Sequence, residues 1–177
     1  GQMLAEGDTV ELFLAPDFLA REQSDNLYQN IKPSFGVVYE DENLLVCDKP
    51  VGMLSHSDEA GEKNTLIEHV KAYLWQKGEY RPEDEMSFAP ALCNRIDRNT
   101  GGIVIAAKNA EALRIMNEKI RNDEIRKFYY CVVHGRPQES QKTLRGWLRK
   151  DSKNNTVEVT DHKLPGSREI ITKYRVL

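Results

Sequence analysis

One short run concentrates the residue types that can do chemistry: Asn94-Arg95-Ile96-Asp97-Arg98-Asn99-Thr100-Gly101-Gly102. It sits between two apolar stretches, so it is expected to form a loop joining strands at one end of a sheet. Within it the carboxylate of Asp97 stands between the guanidinium groups of Arg95 and Arg98. Flanking cations favour the charged form of a carboxylate. That suits a nucleophile or an electrostatic stabiliser, and not a general acid. The same residues also read as an exposed, salt-bridged loop worth about 0–1 kcal/mol of stability. Gly101-Gly102 reads equally as a bulge where two backbones pass closely.

Other chemistries find less support. Cys47, Cys93 and Cys131 lie far apart and form no CxxC pair, which reads as reduced thiols in a cytoplasmic protein and not as a disulfide frame. The four histidines show no HExxH or paired spacing, so no metal site is expected. With 177 residues, 40% hydrophobic and 30% charged, the chain is a globular domain and not a collagen-like or low-complexity one. Its apolar runs fall far short of the ~20 residues a membrane span needs, and no signal peptide opens it.

The elements that must position the loop follow from periodicity. Gly36–Glu40 and Leu44–Asp48 read as a β-hairpin around Asp41-Glu42-Asn43, ended by Lys49-Pro50-Val51-Gly52. Thr65 is placed to cap a helix over Leu66–Gln76, and Asn109 to cap one over Ala110–Arg121. Gly101–Ala107, Ile125–His134, Leu144–Leu148, Thr156–Val159 and Glu169–Val176 read as strands. Few helices without βαβ alternation predict an α+β fold with a mixed, mainly antiparallel sheet. Val10, Leu12 and Leu14 alternate as one further strand, and 15–35 is a linker by composition. The last strand pattern stops at Leu177 with no cap or polar tail, so the natural domain is expected to continue.

Arg95–Ile105 resembles the catalytic motif of the RluA-type pseudouridine synthases, which reads His-Arg-Leu-Asp-x-Asp/Asn-Thr-Ser-Gly before an apolar strand. Val38–Gly52 resembles that family's opening hairpin and Lys-Pro-x-Gly turn. Lys127–Gly135 resembles its Lys-x-Tyr-x-x-x-Val-x-Gly strand, and Thr172–Leu177 a later Thr-x-Tyr strand. The four occur in the family's order over roughly 36–177. Two positions depart: the usual His is Asn94, and the usual Ser is Gly101. The family's final Gly-Arg-x-His-Gln-Ile-Arg strand, which supplies a basic group near the catalytic aspartate, has no counterpart before Leu177.

The resemblance implies an RNA uridine isomerase that needs no cofactor and no metal. Its essential aspartate is matched by Asp97, starting glycosidic cleavage by nucleophilic attack or by taking a ribose proton. Its tyrosine is matched by Tyr129, able to stack on the flipped base. Arg95 is suited to filling the vacated stack, and Arg98, Asn94 and Thr100 are further candidates for RNA contact. Gly7–Val10 resembles the last strand of an S4 RNA-binding domain. It divides the chain at 1–33 and 34–177, and it leans the substrate toward large-subunit ribosomal RNA over transfer RNA. A monomer is the default.

Charge agrees with an RNA partner. Residues 1–62 carry 13 acidic and 3 basic side chains, whereas 63–177 carry 15 acidic and 22 basic, an asymmetry that suits a polyanion. Arg114, Lys119, Arg121, Arg126 and Lys127 form one basic cluster, and Lys142, Arg145, Arg149, Lys150 and Lys153 another. Lys49 reads as a turn residue and Trp147 as core. Two other functions stay open. A binding module that kept the fold but lost turnover would hold RNA regardless of the Asp97 carboxylate. A sugar hydrolase using Asp97 would want a second carboxylate as general acid.

Overall fold

In a computed structural model, residues 27–58, 61–82, 88–151 and 156–177 are described. The expected strand at 10–14 and the S4-like segment lie outside them, as do Lys153 and the end of the polar loop after Lys77. The chain divides into two compact units between Arg126 and Lys127. All ladders of the named strands are antiparallel, with two α-helices, so the α+β expectation holds.

The first unit is a four-stranded sheet of order β1-β2-β4-β3: β1 Gly36–Glu40, β2 Leu44–Lys49, β3 Ala91–Leu92 and β4 Gly102–Ala107. The hairpin turns because Asp41 Oδ1 accepts from the backbone N–H of Asn43 (2.8 Å) and Leu44 (2.7 Å), an Asx turn. Along β2 the alternation is strict. Leu45, Cys47 and Lys49 are each fully buried, and Leu45 and Cys47 pair across the ladder with Ala106 and Val104 of β4. Helix α1 (Leu66–Gln76) shares this core through Leu66, Val70 and Leu74. Helix α2 (Ala110–Arg121) starts as its sequence predicts, with Asn109 Oδ1 accepting from the Ala112 N–H at 2.9 Å. No described helix is long and apolar enough to cross a membrane.

Thr65 is at the expected cap position of α1, yet its side chain makes no capping hydrogen bond. The first helical donors are met instead by backbone: Leu66 N–H donates to the Leu54 carbonyl (2.7 Å) and Ile67 N–H to that of Ser55 (3.2 Å). The Thr65 hydroxyl is left buried and, among the described residues, without a partner. An unpaired buried hydroxyl costs about 1–3 kcal/mol. Thr65→Val keeps the shape and removes it, and is expected to stabilise the protein by ~1 kcal/mol, read as a higher urea midpoint.

His69 makes stability depend on pH. Its ring is buried. Nδ1 accepts from the Ser34 N–H at 3.1 Å, so the proton resides on Nε2, 2.7 Å from Asn64 Oδ1. Burial pushes the imidazole's pKa down, with Glu68 opposing. Below the unfolded value of about 6.5, the unfolded chain binds a proton that the native ring resists. Stability is therefore full at neutral pH and falls as pH drops through that value toward the lowered native one. The slope is at most about 1.4 kcal/mol per pH unit. Urea midpoints between about pH 5 and 8, compared with those of His69→Gln, check it, and the variant's slope should be shallower.

The second unit is a three-stranded sheet of order β6-β5-β7, with β5 Gln141–Asp151, β6 Thr156–Thr160 and β7 Arg168–Arg175. All three strands were expected. Ile125–His134 was expected as a strand as well, and here the expectation fails. The segment has no strand hydrogen bonding, and Phe128, Tyr130 and Val132 are 85%, 92% and 101% exposed. Aromatic and β-branched composition supplies a fit to a pleated surface but not a neighbour to pair with. No described segment pairs with it.

Candidate active site

Asp97 lies on the loop between β3 and β4, and its position follows from what the loop backbone is tied to. The Asp97 carbonyl accepts from the Thr100 N–H at 3.1 Å, closing a turn over 97–100. On the near side, the Ser55 hydroxyl donates to the Ile96 carbonyl (2.9 Å) and accepts from the Ile96 N–H (3.3 Å). The Ile96 side chain packs against the core. On the far side, the Arg98 carbonyl accepts from the Gly52 N–H (2.8 Å) and from Lys49 Nζ (3.3 Å). Ser55 thus holds the Ile96–Asp97 peptide, the Thr100 N–H the Asp97–Arg98 peptide, and Gly52 with Lys49 the Arg98–Asn99 peptide beyond it. The Asp97 side chain is exposed, with no ion pair or hydrogen bond to a described residue.

Lys49 is the centre of this arrangement. Period-two alternation that buries Leu45 and Cys47 also buries Lys49, so its ammonium must find acceptors inside. It donates to the carbonyls of Met53 (2.6 Å), Pro50 (3.1 Å) and Arg98 (3.3 Å). Burial pushes its pKa down, and the charge of Asp97 opposes that. Lys49 was read from the sequence as a turn residue; it is instead the last residue of β2, paired with Gly102, because the strand's alternation carries it into the core, and its ammonium joins the turn that follows to the Asp97 loop. Gly52 serves the same junction with φ +92°, a conformation that glycine tolerates. At Gly101, a Cβ would lie 3.1 Å from Val51 Cγ2 and 3.4 Å from the Lys49 carbonyl. The close-approach reading of that glycine is therefore the one its surroundings support.

The expected clamp of two arginines on Asp97 is not formed. Arg98 reaches Asp58 instead, at 3.4 Å. Arg95 is exposed and helps to hold the His56 pKa low, after burial and ahead of Lys71. Neighbours in sequence project in different directions from a turn, so adjacency did not become contact. Asn94 is engaged with β4: its Oδ1 accepts from the Ile105 N–H (2.8 Å) and its amide nitrogen donates to the Ile103 carbonyl (3.4 Å). Asn94, Arg95, Asp97, Arg98 and Thr100 thus share one loop of the first unit. Tyr129 belongs to the second, in the irregular segment before β5, with its ring 65% exposed. Ser55 was missed by sequence reasoning, and nothing in its local pattern marks it.

The other end of β4 carries a different constellation. Glu40 pairs with Lys77 (2.7 Å) and Lys108 (3.0 Å), and Glu79 pairs with both lysines. Tyr73 also donates to Glu40 at 2.8 Å. These charges satisfy one another and fasten α1 to the sheet. In the basic clusters, Arg114, Lys119, Lys142, Arg145 and Arg149 have carboxylate partners. Trp147 is half-buried, with Lys163 Nζ 5.4 Å from its ring centroid. The described residues hold no cluster of His, Cys, Asp and Glu suited to a metal.

Residues 43–177, which include the pinned loop, Lys49, Ser55 and Tyr129, match the family model for RNA pseudouridylate synthases. The chain belongs to that family. The chain is 34% identical over 155 residues to an uncharacterized RNA pseudouridine synthase of Mycoplasma genitalium, covering 85% of the chain and 46% of that protein. It is 31% identical over 141 residues to ribosomal large subunit pseudouridine synthase C of Vibrio parahaemolyticus, covering 80% and 40%. The human RNA pseudouridylate synthase domain containing 1 shares the fold, with a TM-score of 0.55 at 15% identity over 80% of this chain and 51% of that one. The chain spans about half the length of the curated relatives it matches.

Proposed function

We propose that the protein isomerises a uridine of large-subunit ribosomal RNA to pseudouridine, with Asp97 as the catalytic residue. The observation that carries this reading is an exposed carboxylate on a loop whose backbone the fold holds on both sides, at Ile96 and at Arg98. A reacting group must be held in place if it is to exploit proximity. The reaction breaks the bond between uracil N1 and the ribose, turns the base and rejoins it through C5. Asp97 starts it either by attacking carbon or by taking a ribose proton. The target base must leave its stack, at a cost of a few kcal/mol. Arg95, exposed two residues before Asp97, offers a planar cation to the gap. Tyr129 offers an accessible ring to the flipped base.

The ribosomal choice rests on relatives named as large-subunit synthases, such as that of Vibrio parahaemolyticus. The test is tritium release from 5-tritiated uridine by the full-length protein, on unmodified ribosomal and transfer RNA transcripts. Release from the ribosomal transcript alone is expected. Release from transfer RNA alone overturns the substrate, and none from either overturns the reaction.

A further inference from the structure

The hydroxyl of Ser55 has no role in holding its own segment. Both its hydrogen bonds go to Ile96, 41 positions later. The Ser55 carbonyl receives the α1 N-terminus through the Ile67 N–H. The same residue therefore connects a helix end by its backbone to the Asp97 loop by its side chain. At 5% exposure, water cannot readily replace either bond. The two bonds hold successive peptide units: the Ile96 N–H belongs to the Arg95–Ile96 peptide and the Ile96 carbonyl to the Ile96–Asp97 peptide, so Ser55 fixes the backbone on both sides of Ile96 where it leads into Asp97.

We propose that Ser55 is a positioning residue for Asp97, acting through the Ile96 peptide without touching RNA. This rests on the isomerase reading above. Without the hydroxyl, Ile96 keeps its packed side chain but its peptide can rotate, and the carboxylate one residue on moves with it. Displacement of about 1 Å costs on the order of a hundredfold in rate. RNA contacts elsewhere on the protein are untouched, so the loss should fall on kcat.

The experiment compares single-turnover and steady-state tritium release by the full-length protein with that of Ser55→Ala, Ser55→Thr and Thr65→Val. Ser55→Ala is expected to lower kcat by roughly tenfold to a hundredfold with KM for RNA unchanged. Ser55→Thr, which retains an oxygen on the same carbon, should restore most of it. Thr65→Val, in the neighbouring bridge to Leu54, should leave kcat as it is. Should Ser55→Ala fail to fold, Ser55→Cys keeps the volume with a weaker hydrogen-bonding group and should show the same kcat loss in part. Wild-type kcat in Ser55→Ala (or in Ser55→Cys, if Ser55→Ala does not fold), or a loss that Ser55→Thr does not restore, overturns the role. If the parent protein itself releases no tritium, the isomerase reading falls and this role falls with it. A parent that turns over beside an equally active Ser55→Ala sinks the clamp alone.

Discussion

Asp97→Asn in the full-length protein is expected to lose pseudouridine formation by roughly a thousandfold or more, with RNA affinity kept and stability within about 0.5 kcal/mol of the parent. The stability half of this follows from where the loop is held. The bonds nearest to Asp97 run to backbone at Ile96 and Arg98 or close the turn at Thr100, and no described bond uses the Asp97 carboxylate. The Asp97 side chain itself is exposed, so an amide of the same shape disturbs no described contact. The affinity half follows from charge, because removing one negative group from a surface meant for phosphates can only weaken repulsion. An asparagine neither attacks carbon well nor takes a proton. Tritium release beside filter binding and a urea midpoint separates the three terms. Turnover retained in Asp97→Asn would remove Asp97 from the chemistry. Loss of turnover together with folding would show instead that its carboxylate has a structural partner.

The sequence made both helices and every strand but β3 legible to within a few residues, because each carries its own period, whereas the two residues of β3 are too short to show one. The hairpin at 36–49 also states its turn chemistry, through Asp41. What the pattern could not supply was partnership. Ile125–His134 has strand composition and no ladder, since pairing depends on a neighbour that composition does not name. At Thr65 the residue type fits a cap, but Leu54 and Ser55 had already met the donors through their carbonyls. The Asp97 loop was found from residue types alone. Its electrostatic reading failed because Arg98 is drawn to Asp58, 40 residues earlier. Lys49 stood in plain view as the next buried position after Leu45 and Cys47 on β2. Following the alternation two residues further would have placed its charge inside the protein and demanded acceptors for it.

That buried charge sets the second large effect. Lys49→Met fills the same volume with an unbranched apolar side chain and withdraws three donated bonds at once, from Met53, Pro50 and Arg98. Bonds from a charged donor are worth about 1.5–3 kcal/mol each, but the ammonium is also desolvated, as its lowered pKa records. The apolar replacement relieves that penalty. The net destabilisation should then be modest, about 1–3 kcal/mol, read from urea midpoints. Activity should suffer more than stability. The Arg98 carbonyl keeps the Gly52 N–H but loses the cation that joins it to the 49–53 turn, so the Arg98–Asn99 peptide, one residue beyond Asp97, gains freedom in a fully folded protein. A fall in kcat of about a hundredfold is expected where the variant remains folded. Because Lys49 and Ser55 hold opposite sides of Asp97, the double variant should lose less than the product of the two single losses, as groups serving one geometry are not additive. Independent, multiplying losses would mean that the two pins act on different things, and that the loop is not held as one unit.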